Sequence, residues 1–390
     1  MKFCLSLFPE ISKIAMENPF YFGRMVAGDA FTDREKETQR LVAGFRNGIN
    51  TILISPRRWG KSSLVRKAGE TVNSKDIRIV YMDAFSLRSE SDFYTAYTRA
   101  VLEATSSHWE ERLKSLKEFL RQITPKIKIG VDPEHEFSIS FDWDDLQQNA
   151  AEILDLPEKI AKAKSVRVVV CIDEFQNIAV FNDSLAFQKL LRSVWQKHET
   201  ACYCLYGSKF HMMQELFERQ SMPFYRFGDL IYLGKIAEND WRPFIRQRFE
   251  NTGKHIDDSY ISHIIRDTDR HSYYVQQLSY LIWEKTRDTV NDVIYDEALS
   301  DMISQNAILY QRDTENMSET QLNFLKAVAS GQRKNLTSAE ILKKYRLGTS
   351  ANVVKIKKNL LNDEIIDIHG KEVSFIDPIY ELWFKKEILT

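Results

Sequence analysis

Glycine and proline are scarce in this chain, numbering 14 and 9 among 390 residues. Usage that low excludes collagen-like, linker-like and disordered classes. Neither sign of charge is in excess, since 54 Lys+Arg stand against 55 Asp+Glu for a net charge of -1. Overall charge therefore argues for neither nucleic-acid nor membrane binding, and only a local basic face is left open. The four cysteines, Cys4, Cys171, Cys202 and Cys204, form no Cys-x-x-Cys pair, and three of them lie in apolar runs. They read as small buried hydrophobes in a reducing compartment rather than as a disulfide framework. No uninterrupted apolar run approaches the roughly 18 residues of a membrane span. The apolar start, Met1 to Phe8, is short and runs into Glu10 and Lys13, unlike a cleaved signal peptide. A cytoplasmic protein with no membrane partner is expected.

What is present is a large apolar fraction, 43%, with 28% charged residues. At roughly 150 residues per domain, this length predicts two or three compact, helix-rich domains. Through the first 235 residues, apolar β-rich runs alternate with polar helical patterns, the sign of βαβ units around a parallel sheet. Four strands are expected at Asn50–Ile54, Ile77–Met82, Val166–Ile172 and Ala201–Tyr206, with a fifth candidate at Gly228–Leu233. Between the second and third, residues 126–131 and 136–141 alternate with period two around Asp132-Pro133, predicting an inserted hairpin of unassigned role. From Ala237 to about Asn316 the pattern is helical, with Trp241, Phe244, Ile245 and Phe249 on one stripe and Val275, Leu278, Leu281 and Ile282 on another. That predicts a small helical lid. From Met317 onward, helices at Glu319–Ser330, Thr337–Tyr345 and Ser350–Asp363 lead into Ile365–Ile368, a turn at His369-Gly370, and Glu372–Ile376. Three helices and a hairpin are the layout of a winged helix. The expected domains are 1–235, 236–316 and 317–390.

Directly after the first strand stands Ser55-Pro56-Arg57-Arg58-Trp59-Gly60-Lys61-Ser62-Ser63-Leu64. It fits the phosphate-binding loop G-x-x-x-x-G-K-[ST], with Ser55 in the place of the first glycine. In that reading backbone N–H groups of the loop and of the following helix cradle a phosphate. Gly60 allows close approach, Lys61 neutralises charge, and the Ser62 hydroxyl ligates Mg²⁺. The bland alternative is a chance Gly-Lys-Ser at a helix cap. The third strand ends in Asp173-Glu174, which delivers two carboxylates to the sheet edge where ligands of open α/β sheets bind. Asp173 would hold Mg²⁺ and Glu174 would polarise the attacking water in γ-phosphate hydrolysis. Read alone, a strand ending in Asp-Glu is a solvated strand end; paired with the upstream loop, it completes an ATP site. The same loop serves kinases, but no acceptor-site motif accompanies it here. The eight histidines show no metal-binding spacing, so no metal other than Mg²⁺ is expected.

On these residues the chain resembles the prokaryotic ATPases of the AAA+/STAND group often called archaeal-type ATPases, over nearly its whole length. Asn18-Pro19-Phe20 and Phe31-Thr32-Asp33-Arg34-Glu35 resemble the family's N-P-F and F-x-G-R-E elements, which lead into the nucleotide domain near the adenine. Pro56-Arg57-Arg58 with Gly60–Leu64 is similar to its G-P-R-R-x-G-K-T-S-L loop. The resemblance implies an AAA+/ORC-like parallel sheet sandwiched by helices, then a helical lid and a winged helix. It also makes Ser208, in Gly207-Ser208, a candidate γ-phosphate sensor, the alternative being a plain Gly-Ser turn. Met222–Arg226 resembles the family's P-L-Y-x-R segment, whose arginine meets a phosphate in cis or from a neighbouring subunit. The alternative for Arg226 is packing on Tyr225 or pairing with Asp229. Arg270–Tyr274 sits where relatives carry G-x-P before aromatics, and His271 there is either within reach of a phosphate or a surface residue at a helix start. Arg57 and Arg58 remain open between phosphate, a neighbouring subunit and nucleic acid.

The last segment also resembles the winged helix that closes these proteins. From Met317 to Thr390 there are 12 Lys+Arg against 9 Asp+Glu, and Lys355, Lys357 and Lys358 fall on the helix that would meet DNA phosphates. The expected function is an ATP-driven molecular switch that uses ATP/ADP and Mg²⁺ to rearrange lid and winged helix, with a separate protein effector and self-association as candidate partners. The competing reading is a winged-helix DNA-binding regulator whose nucleotide site is structural or degenerate.

Overall fold

A computed structural model of the chain describes residues 17–24, 34–105, 128–131, 137–140 and 150–389. They divide into two compact units, one drawn from 34–235 and the other from 17–24 with 236–389.

The first unit is a three-layer α/β structure. Its sheet has the order β2-β5-β6-β1-β7, formed by β1 (Thr51–Ile54), β2 (Ile77–Asp83), β5 (Arg167–Asp173), β6 (Ala201–Gly207) and β7 (Asp229–Tyr232). Every pairing in it is parallel. All five expected strands are present within a residue or two of their predicted ends. The apolar runs are buried on both faces because alternate residues enter separate cores. Ile52, Val170 and Leu205 join one core, while Leu53, Val169 and Cys204 join the other. Helices α1 (Glu35–Asn47) and α2 (Lys61–Val72) cover the second face through Leu41, Phe45, Leu64 and Val65. Helix α3 (Glu90–Thr105), α4 (Leu156–Lys164), α5 (Ser184–Trp195) and α6 (Phe210–Glu218) cover the first. There Trp195 stacks on Tyr203 at 4.1 Å between ring centroids. Cys171, Cys202 and Cys204 are free thiols buried in the sheet, as their apolar runs predict.

The inserted strands β3 (Lys128–Val131) and β4 (Phe137–Ser140) pair antiparallel, with Val131 opposite Phe137. The Asp132-Pro133 turn lies outside the described residues, as do Phe31, Thr32 and Asp33.

The second unit begins with α7 (Glu238–Glu250), α8 (Asp258–Asp267), α9 (Ser272–Lys285) and α10 (Asp292–Glu315). It continues through α11 (Glu319–Ala329), α12 (Ala339–Lys344), α13 (Ser350–Asn362), the hairpin β8 (Ile366–His369)–β9 (Glu372–Phe375) and α14 (Pro378–Phe384). The three helices α11, α12 and α13 start at side-chain caps. Ser318 and Gln321 form a reciprocal capping box, and Ser338 and Thr349 accept from Ile341 N–H and Asn352 N–H. Lid and winged helix share one apolar cluster that runs from Trp241 to Phe384. Tyr310 of α10 stacks on Tyr380 of α14 at 4.9 Å, and Thr314 is hydrogen-bonded to the Tyr380 hydroxyl at 2.8 Å.

One expectation is corrected here. Asn18-Pro19-Phe20 was expected with the nucleotide domain, but Phe20 is buried against Phe244 and Phe249, and the Asn18 amide donates to Tyr280 O. The driving force is aromatic burial: the helical unit offers Phe20 two ring partners within 6.3 Å. Among the described residues, no helix is long and apolar enough to cross a membrane.

Candidate active site

Because all five strands run parallel, β1, β5 and β6 deliver their C-terminal ends to one edge of the first unit. Strand β6 lies between β1 and β5, so Gly207-Ser208 emerges between the loop at 55–60 and the Asp173-Glu174 pair. Ser55 is fully buried and lies outside the left-handed region, which removes the need for glycine at that place. Gly60, with φ 88, is left-handed and meets open space where a Cβ would stand. Helix α2 starts directly at Lys61 with no side-chain cap and no acidic residue in its first turn. Its first turn thus presents the positive end of the helix dipole, the place an anion takes.

Around that helix start five side chains converge. The Lys61 ammonium donates to Glu174 Oε1 at 2.9 Å and lies 3.6 Å from Asp173 Oδ1. Ser62 Oγ donates to Asp173 Oδ2 at 2.6 Å. Ser208 donates to Glu174 Oε2 through both its hydroxyl, at 2.8 Å, and its N–H, at 3.2 Å. Lys61 is only 8% exposed, and these carboxylates are the counter-charges beside it.

Burial works against ionising Glu174, but the Lys61 charge and hydrogen bonds from Gln176, Lys61 and Ser208 outweigh it, bringing the carboxyl to about 2. Asp173 moves the other way. Its burial and the neighbouring Glu174 charge raise it above the ordinary carboxylate value despite Lys61 and Ser62. The two adjacent carboxylates are therefore unequal, Glu174 being the firmly ionised one.

Two participants escape a linear reading. Gln176 is buried and donates from Nε2 to Glu174 Oε2 at 2.6 Å. Gly207 has a structural reason to be glycine, since a Cβ there would fall 1.8 Å from Gln176 Oε1. A signal for Gln176 existed in its position two residues beyond Glu174, but its direction depends on the turn Phe175–Val180, where Glu174 itself is left-handed with φ 48.

Other expected site residues lie along the same loop and helix start or away from this sheet edge. Pro56 is half-buried, Arg57 and Arg58 are exposed, and Trp59 lies beneath the Lys235 ammonium at 5.8 Å from its ring centroid. Ser63 is buried in the first turn of α2. Arg226 precedes β7, whose first residue Asp229 pairs with Thr51 at the start of β1. It therefore sits at the edge where strands begin, opposite the phosphate loop, and its placement corrects the expectation of a phosphate contact in cis. Its guanidinium lies 5.2 Å from the Tyr225 ring centroid, while Asp229 is held by Arg40. In the second unit His271 is 5% exposed and packs on Tyr274, which corrects the surface reading. On α13, Lys355 and Lys358 are exposed, and Lys357 is half-buried with its pKa lowered by that burial.

Comparisons with known proteins follow the same division. A family model described as "ATPase domain predominantly from Archaea" matches residues 31–278, and one described as "Probable winged helix domain" matches residues 308–386. Among solved structures, a Walker-type ATPase of Pyrococcus abyssi is similar with a TM-score of 0.64 and 14% identity, covering 92% of this chain and 97% of that one. The Aeropyrum pernix ORC2 protein in its ADPNP–ADP complexes is similar with a TM-score of 0.55 and 14% identity, covering 92% and 95%. Likeness at such identity shows the fold. No curated protein matches the sequence. Since the first family model spans well over half of its length, the chain belongs to the ATPase domains found predominantly in Archaea and is an ATP-hydrolysing enzyme of the phosphate-binding-loop class.

Proposed function

We propose that this ATPase is a nucleotide-driven switch, in which Mg²⁺-ATP at the α2 start orders the lid and winged helix and hydrolysis releases them. The observation that carries it is the convergence of Lys61, Ser62, Asp173, Glu174 and Ser208 on one sheet edge. The Ser62 hydroxyl and the Asp173 carboxylate, 2.6 Å apart, are a hard oxygen pair suited to Mg²⁺, which keeps most of its shell for water and phosphate. Bound there, Mg²⁺ would neutralise phosphate charge. The loop and the α2 start at residues 57–63 would wrap the phosphates through their N–H groups, Lys61 would pair with phosphate oxygen, and Glu174 would orient and deprotonate the water. The shared core of lid and winged helix supports their responding as one body.

Arg226, exposed at the far edge of the sheet, is placed to offer its charge to a phosphate of another copy of the chain, which would tie it to self-association. A second reading, duplex DNA as partner, is favoured by the exposure of Lys355 and Lys358 on α13. The test of the main reading is steady-state phosphate release by wild type, Lys61→Ala and Glu174→Gln. Both variants are expected to fall at least about 100-fold, and rates equal to wild type in both would overturn it. For DNA, a duplex shift that weakens with salt and with Lys355→Ala and Lys358→Ala is expected.

A further inference from the structure

Four hydrogen bonds fall on the Glu174 carboxylate, and they are unevenly shared. Oε1 takes one, from Lys61, at 2.9 Å. Oε2 takes three: Gln176 Nε2 at 2.6 Å, Ser208 Oγ at 2.8 Å and Ser208 N at 3.2 Å. The donors on Oε2 belong to the protein scaffold. The donor on Oε1 is a cation that phosphate oxygens compete for.

We propose that Gln176 is a positioning residue for ATP hydrolysis: with Ser208 it pins Oε2 of Glu174, so that Oε1 alone is turned toward the phosphates and receives the water proton. This rests on the ATPase reading of the site. In the step, the water oxygen bonds to the γ-phosphorus and the bond from that phosphorus to the β–γ bridging oxygen breaks. The water proton passes to Oε1, and ADP and phosphate leave. A carboxylate free to rotate would present either oxygen at varying distance, and a misplacement of about 1 Å costs on the order of 100-fold in rate.

Three features show that the Gln176 contact is built rather than incidental. The side chain is 1% exposed, so its amide has no water to exchange with. Its Oε1 has no hydrogen-bond partner, a cost accepted while Nε2 faces the carboxylate; the opposite orientation would set two oxygens against each other. Finally, Gly207 leaves the space the amide occupies, since a Cβ there would stand 1.8 Å from Gln176 Oε1 and 3.0 Å from its carboxamide carbon. Gly207 does not have a positive φ, so its lack of side chain serves close approach, to this amide and to Met213 Sδ at 2.9 Å from the same Cβ position, and not a turn.

The experiment compares wild type, Gln176→Met and Gly207→Ala by steady-state and single-turnover phosphate release, with ATP affinity measured by calorimetry. Methionine keeps the length of the side chain and removes its donor; alanine at 207 displaces the amide from outside. Each variant is expected to lower kcat on the order of 10- to 100-fold while the ATP dissociation constant stays within about twofold, and the two together are expected to do no worse than either. In a Glu174→Gln background, Gln176→Met is expected to change nothing further. Turnover of Gln176→Met and Gly207→Ala within about twofold of wild type would overturn the proposal, as would the same fold-loss persisting in Glu174→Gln. Failure of the underlying reading is distinct, since wild type itself would then release no phosphate.

Discussion

Lys61 Nζ and Glu174 Oε1 stand 2.9 Å apart with their side chains only 10% and 16% exposed, so the cation of the phosphate loop is neutralised by the second carboxylate at the end of β5. Removing one member of such a pair strands the other charge in a poorly solvated place. Lys61→Ala is therefore expected to lose about 2–4 kcal/mol of stability at neutral pH in addition to its loss of nucleotide affinity. Adding Glu174→Gln should recover at least half of that. Urea denaturation of the single and double variants checks it; equal stability of Lys61→Ala and wild type would remove the pair from the stability account.

A second prediction concerns acid stability and lies away from the phosphates. Glu158 is 4% exposed and accepts from the N–H groups of Glu199, Thr200 and Ala201 at 3.1, 2.9 and 2.7 Å, with Lys162 at 3.0 Å. Burial opposes its charge, but these donors win, moving it from 4.5 to about 2. A carboxyl whose folded value is depressed contributes stability that is full above about 4.5 and lost as pH falls toward 2. Glu158→Gln should lower Tm at pH 7 by about 3–6 °C, a gap that narrows through this window. Thermal melts from pH 7 to pH 2.5 decide it, and a gap independent of pH would show that shape and not charge matters.

Much of this fold was legible because the signals were local. Val168–Cys171 and Ala201–Tyr206 are short, β-branched or aromatic-rich runs apolar on both alternating sets of positions, as a strand covered on both faces is. Gly60-Lys61-Ser62 followed a strand and opened a helix, the context that gives the motif its meaning. What stayed hidden depended on strand order and on distant packing. The contact of Gln176 with Glu174 past Gly207 follows from the turn after β5 and from β6 lying beside it. Arg226 falls on the wrong edge for a phosphate contact in cis because β7 begins beside the start of β1, a pairing that depends on strand order. Phe20 finds its partners more than two hundred residues away.

The lid and the winged helix meet at Asp377. Its Oδ1 accepts from Ile379 N–H at 2.9 Å and Tyr380 N–H at 3.1 Å, capping α14, while its Oδ2 accepts from Tyr310 OH at 3.0 Å and from Tyr274 OH. Asp377→Ala should cost about 2–4 kcal/mol by removing cap and tyrosine acceptor together. Asp377→Asn keeps a side-chain oxygen for the cap and should cost about half as much. Equal losses in the two variants, measured by urea denaturation, would mean that neither the cap nor the tyrosines distinguish the acceptor.

The last prediction separates conformation from contact in the phosphate loop. Gly60 holds φ 88 immediately before α2, and a Cβ there would touch nothing within 4 Å. Gly60→Ala therefore introduces no clash in the folded chain, only the strain of a left-handed alanine, on the order of 1–2 kcal/mol. The loop can relieve that strain by turning residue 60 out of the left-handed region, which misaligns the N–H groups at the start of α2. ATP affinity is then expected to fall about 10- to 100-fold while Tm drops by no more than about 4 °C. Calorimetric titration beside a thermal melt makes the comparison. Wild-type affinity in Gly60→Ala would mean that the left-handed turn at residue 60 is not what aims the helix start at the phosphates.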